Sequence, residues 1–268
     1  MSKLRIDCFK DVRELPQDIL NDFAALMVNR KGKNKDAYML LRNISKAITP
    51  GVLYELKNSD LVKANKNIKQ IELVKNNIKP KAHIEINAKW DKKEEFGLKS
   101  NILGGLGSLI VNSTQKDPII VKIAETTSEN LAYYGATLIK EGEGVIFEAD
   151  KHLPLTEVSI GTNYIDGYIH VKEKGGVTFL EYHDRPHFHT PINDKAKGHL
   201  ILGRKEGEKI ILSAFQIPYG YGIHTCPYTI HTDAYLVGEY RVIFSVTKNY
   251  STTILKNKNK ALLHMYCR

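Results

Sequence analysis

Six of the ten histidines fall between His183 and His231, and two of them, His187 and His189, are one residue apart. On extended chain such a pair projects to one side, so both imidazoles can hold a single transition-metal ion. One strand cannot surround an ion, so a third ligand must come from another. The segment IPYGYGIH offers His224, because Pro218 and Gly220 force a tight turn just before it. His231 is the rival third ligand, seven residues further on in the same segment. His183 reads as a loop or supporting group. His199 in HLILG points away from the interior if Leu200 and Leu202 point in.

The order of these features resembles the two-motif signature of the cupin superfamily: a Gly-led strand, His-x-His, a Gly-ended strand with a hairpin, then Pro-x-Gly and a further His. The resemblance covers roughly residues 175–246. Asp194 stands where a glutamate is usual, four residues after His189, and Gly203 comes two positions later than the pattern has it. His224 follows Gly220 after three residues rather than two. What the resemblance implies is a double-stranded β-helix, with His187, His189 and His224 around a divalent ion and Asp194 or water completing the shell. Fe(II) is the expected ion, with Mn(II), Ni(II) and Zn(II) as alternatives.

Other residues carry weaker signals. His231-Thr-Asp233 could form a two-His-one-carboxylate face with His264, with Arg268 for a substrate carboxylate, as in iron/2-oxoglutarate oxygenases. Little chain remains after His264 for that arrangement. GGLGS (104–108) precedes a strand-like LIV rather than a helix, so it reads as a turn and not as a phosphate cradle. Cys226 reads as a small buried residue. Tyr219, Tyr221, Tyr228 and Tyr235 crowd the region, and Arg185 and Arg204 can anchor an anionic substrate. Tyr221 and Arg185 are the candidates for catalysis.

The elements that position these residues change character near residue 80. Before it, the apolar spacing predicts helices over about 16–27, 36–48 and 59–77, with Leu40, Leu41, Ile44 and Ile48 as the stripe of the second. After Pro80, Ala82, Ile84, Ile86, Ala88 and Trp90 alternate with polar residues, which predicts a half-buried strand. Short β-type runs follow: SLIV, IIVKI, GVIFE, YIHV (168–171), VTFLEY, HLILG, KIILSAF and YRVIFSV. The expected class is α+β: a mainly antiparallel cupin-like barrel over 81–268 with a helical region over 1–80.

Composition bounds the partners. The chain has 39 Lys and Arg against 30 Asp and Glu. The excess lies at the two ends, with 21 basic against 13 acidic residues over 1–100, 9 against 13 over 101–200 and 9 against 4 over 201–268. The charge thus avoids the histidine-rich centre, and a solvated lysine face is preferred to a nucleic-acid surface. Three scattered cysteines make no disulfide framework, and no signal peptide or bilayer-length apolar run is evident, so a cytoplasmic setting without membrane contact is expected. A homodimer is left open. The expected function is a metal-dependent enzyme acting on a small polar or anionic molecule, an oxidoreductase or dioxygenase before an isomerase or lyase. The alternative is a non-catalytic barrel that binds a sugar or effector, with the basic N-terminal region contacting a protein or nucleic acid.

Overall fold

The computed structural model describes residues 15–26, 30–31, 38–65, 67–91, 106–112, 118–160, 179–244, 247 and 249–268, with backbone alone for 22–26, 30–31, 38–43 and 106. In chain order these form α1 (Gln17–Leu26), β1 (Arg30–Lys31), β2 (Tyr38–Ile48), β3 (Leu53–Lys57), β4 (Asp60–Lys63), β5 (Lys69–Gln70), β6 (Ile84–Asp91), β7 (Leu106–Val111) and β8 (Ile119–Val121). Then come α2 (Ser128–Tyr133), β9 (Ala136–Lys140), β10 (Glu143–Ile146), β11 (Leu153–Ile160), β12 (Phe179–His183), β13 (His187–Pro191) and β14 (Lys197–Glu206). The last elements are β15 (Lys209–Phe215), β16 (Tyr221–Thr225), β17 (Ile230–Ile243), β18 (Tyr250–Asn257) and β19 (Met265–Cys267). The protein is mostly β.

Only the first of the three expected N-terminal helices is found. It starts after Pro16, and Asp18 ties it to the start of β11 by accepting the His152 backbone N–H at 2.9 Å. The second is a strand. β2 pairs antiparallel with β11, with register shifts between Leu155 and Thr156 and between Glu157 and Val158. Each shift inserts one unpaired residue in β2, so positions 41, 44 and 47 sit opposite 158, 156 and 154. A strand with two bulges thereby acquires the three-residue spacing of a helix. The third is replaced by the hairpin β3–β4, whose two-residue turn has positive φ at both Asn58 and Ser59, followed by β5 and irregular chain over 71–80. That double positive φ is the geometry that suits a tight hairpin. Strands from both sides of residue 80 pair with each other, β2 with β11 and β3 with β10. After residue 80 the expected strands are present within the described residues. YIHV (168–171) and the first residues of GGLGS lie outside them.

β17 organises the sheet. Its first half pairs with β12 on one side and β14 on the other, and its second half with β11 and β13. The change of partners falls at Gly238, whose φ of 114° suits glycine and whose absent Cβ would lie 2.9 Å from Ala196 Cα. From β17 the pairings run through β12, β18, β7, β6, β15 and β14 and return to β17, so this path closes on itself. Apart from β10–β5, β18–β7 and β19–β8, the pairs are antiparallel.

Two apolar cores flank this framework. The larger includes Phe179, Leu200, Leu202, Leu212, Phe215 and Val242. The smaller gathers Ile48, Tyr54, Leu56, Phe147, Leu155, Phe188 and Ile243. Phe188 belongs to it because β13 alternates: Phe188 turns to the small core and its neighbours His187 and His189 turn the other way. Its ring lies over Gly222, where a Cβ would come within 2.3 Å of Phe188 Cζ. Both residues are fully packed, so Gly222→Ala should destabilise the protein by about 1–3 kcal/mol through overpacking, measured by urea unfolding. A variant as stable as the parent would mean that Phe188 is free to move.

A buried histidine cluster

Three strands each carry a pair of ligand-type residues at alternate positions: Glu181 and His183 on β12, His187 and His189 on β13, His231 and Asp233 on β17. The pairs meet in the interior. His183, His187 and His231 each offer a nitrogen, and these lie within 4.8 Å of one another, which makes a group that can hold a metal ion. Their ring centroids stand 4.4 Å (183–187), 4.7 Å (187–231) and 5.0 Å (183–231) apart. All three are 2% exposed, His189 and Asp233 are 0% and 3%, and Glu181 is also buried. Glu181 Oε1 is 3.6 Å from His231 Nε2, and Asp233 Oδ2 is 3.7 Å from His189 Nε2.

The hydrogen bonds around the rings test the fit of an ion. His231 Nδ1 lies 2.9 Å from the Thr229 carbonyl, which fixes the proton on Nδ1 and leaves the Nε2 lone pair for a ligand bond. Among the described residues, the buried Nε2 atoms of His183 and His231 have no hydrogen-bond partner. His183 Nδ1 accepts only the long 3.3 Å bond from the Arg185 backbone N–H, so ligation by His183 costs little. Two metal–nitrogen bonds of about 2.1 Å separate their nitrogens by at most about 4.2 Å, so an ion closes the group with a small contraction. The residues fit an ion.

Electrostatics set the rings apart. Burial holds His183 well below the usual histidine value, and neighbouring His231 adds to that. His189 is lowered by burial against the opposing pull of Asp233. Burial also opposes a charge on His231, but Glu181 and the Thr229 carbonyl outweigh it and raise the ring.

The expected ligands divide. His187 and His231 lie in the three-nitrogen group, and His189 stands beside it against Asp233. His224 does not join them. It pairs across the strands with Phe188, so it shares that residue's face, with its ring 5.3 Å from Phe147 in the small core. The tight turn before it is present, with the Tyr221 N–H donating to the Pro218 carbonyl at 3.1 Å, but it sets the chain direction and not the face. Asp194 is exposed on the turn between β13 and β14, so the carboxylates at the cluster are Glu181 and Asp233 instead. His183 enters the group because Asp184, Arg185 and Pro186 fold β12 back into β13. The alternation of Phe179, Glu181 and His183 in FLEYH was the signal available for it.

Arg185 is 7% exposed, donates its backbone N–H to His183 and pairs through its guanidinium with Asp150 at the surface. Tyr221 is half-buried, two residues along β16 from Ile223, which pairs with His189. His199 is half-buried opposite Tyr235. His264 lies on the irregular chain just before β19, its carbonyl accepting the Ile119 N–H, and Arg268 is exposed. Cys226 is half-buried, with burial raising its thiol. Tyr219 and Tyr228 are exposed, and Tyr235 is buried with its hydroxyl on the Met265 carbonyl.

No protein family, curated protein or solved structure matches the chain. The site therefore rests on its own geometry. Among the described residues no helix is long and apolar enough to cross a membrane.

His224 yields a test that separates the two faces of β13. Burial lowers its ring to about 4, and neither ring nitrogen has a hydrogen-bond partner among the described residues. The unfolded chain takes up this proton near pH 6.5 while the folded chain refuses it. The stability due to neutral His224 is therefore present above pH 6.5 and lost as pH falls towards 4, by about 3 kcal/mol. His224→Leu should be at least as stable at pH 7, lose about 3 kcal/mol less on acidification and keep its metal binding. Urea unfolding across pH with metal titration checks both. Loss of metal binding in this variant would return His224 to the ligand set.

Proposed function

We propose that the chain is a metal-dependent, cupin-type enzyme in which His183, His187 and His231 hold one divalent transition ion. The convergence of three buried imidazoles from three strands carries this reading. The closed path of pairings through β17 and β14 supports a barrel around them. Charge supports it too. Glu181 and Asp233 bring two carboxylates into the interior, where isolated charges cost several kcal/mol each, and a divalent ion offsets both.

When bound, the ion supplies Lewis-acid polarisation of a substrate oxygen, or dioxygen chemistry if it is iron. The chain supplies the rest. Arg185 is the cation beside His183 and can take an anionic substrate group in place of Asp150, its surface partner. The Thr229 carbonyl holds the His231 tautomer. A small polar or anionic molecule is the proposed substrate, and oxidoreductase chemistry is preferred because three imidazoles leave the ion open coordination positions. Fe(II) is the proposed ion and the cytoplasm the proposed setting.

One observation favours a second reading. With every imidazole at most 2% exposed, the cluster resembles closed sites in which an ion stabilises the fold, and the barrel then binds without catalysis.

Untagged protein should contain close to one first-row transition ion per chain by elemental analysis. His183→Ala and His231→Ala should each weaken binding by more than the roughly 10- to 100-fold cost of losing a supporting group. Affinity should fall as pH drops, and the loss should begin above the ordinary histidine value of about 6.5, since neutral imidazole is the ligand form and His231 is the ring whose proton Glu181 favours. Protein that is metal-free and ignores added Fe(II), Mn(II) and Zn(II) sinks the proposal. A bound ion that raises the melting temperature without any open coordination position detectable by spectroscopy selects the second reading.

A further inference from the structure

Behind the turn that leads into His231 lies a cavity of about 500 Å³, within the size range of small-molecule sites. Lys75, Asn77, Arg204, Lys205, Tyr228 and Thr229 are among its lining residues, and no carboxylate is. Glu206 accepts the Tyr133 hydroxyl at 2.6 Å and lies within electrostatic reach of Arg204, but among the described residues it forms no ion pair with it. Arg204 donates to neutral acceptors, Nη1 to the carbonyls of Asn76 and Tyr133 at 2.8 and 2.9 Å and Nη2 to Asn77 Oδ1 at 2.8 Å. Its guanidinium also lies 4.7 Å over the Tyr133 ring. Nearby Lys79 and Lys209 pair with Glu85, and Lys79 also pairs with Glu206, whereas among the described residues neither Lys75 nor Lys205 forms an ion pair.

The wall is built rather than incidental. Arg204 clamps the irregular 76–77 segment to the end of α2, which fixes one cation at the cavity. Opposite it, Pro227 and Tyr228 form a turn closed by the Thr229 N–H on the Cys226 carbonyl at 3.2 Å. Tyr228 has a φ of 65° and its side chain is left 62% exposed, so the turn holds an aromatic ring at the rim at a conformational cost.

We propose that this cavity binds a small organic phosphate carrying a planar ring, of nucleoside-monophosphate size. Three cations receive the phosphate, as guanidinium and ammonium groups do in water-accessible clefts. Tyr228 stacks on the ring. No residue of the histidine cluster lines the cavity.

Calorimetric titration of the full chain with AMP and with inorganic phosphate, both with EDTA present, tests it and excludes binding through a metal. AMP should saturate with a Kd below ~1 mM, and inorganic phosphate should bind more weakly. Lys75→Glu combined with Lys205→Glu should weaken AMP at least tenfold with an unchanged melting temperature, since neither side chain is paired. Tyr228→Gly suits the positive φ and should erase the advantage of AMP over phosphate. Absence of saturable AMP binding up to roughly 10 mM overturns the proposal, as does binding indifferent to the double charge reversal. Equal binding of AMP and phosphate by the parent overturns the ring contact.

Discussion

The cost of burying ionisable groups governs this structure. Glu181, His183, His187, His189, His231 and Asp233 all lie inside the sheet. Imidazoles meet that cost by staying neutral, which burial imposes on His183 and His189. His231 is the exception, because Glu181 favours its charge. A ring that binds an ion through Nε2 does so without a proton there, and the two carboxylates Glu181 and Asp233 then leave the interior negative. A divalent ion held by the cluster would remove the imbalance and let the surrounding strands pack as apolar walls.

Those walls depend on β17. A strand of this length serves both parts of the sheet only if it changes partners midway, and Gly238 allows that change. Its first half carries His231 and Asp233 past β12, and its second half holds β13 in register, with His189 opposite Val242. The same chain thus positions ligands from two of the three histidine strands. Phe188 over Gly222 then fixes which face of β13 the histidines occupy.

Much of this was legible in the sequence, and the failures have definite causes. The His-x-His pair is visible because alternation is local, and the strands after Pro80 show the same period. His224 was misplaced because the face of a strand depends on cross-strand register, here Phe188 opposite His224, which no local spacing reveals. Choosing between His224 and His231 needed that register. β2 imitated a helix because two bulges stretch its period. Asn58-Ser59 hid a hairpin because the second turn position lacks the expected glycine. Asp194 was drawn in by its distance from His189, whereas the carboxylates that arrive, Glu181 and Asp233, are each two residues from a histidine on their own strand.

The turn between β16 and β17 ties the cluster to the outer cavity without making one the lever of the other. The Tyr228 N–H holds the His183 carbonyl at 2.7 Å, and the Thr229 hydroxyl donates to the carbonyls of Tyr134 and Gly135 at 3.2 and 3.3 Å. The Thr229 carbonyl in turn fixes the His231 ring. Pro227 restricts the backbone further, and these bonds together favour a single arrangement of the turn. Coupling between sites needs an element with two states that each ligand biases differently. A turn this constrained instead preorganises both walls, holding His231 in its ligand tautomer on one side and Tyr228 at the cavity rim on the other.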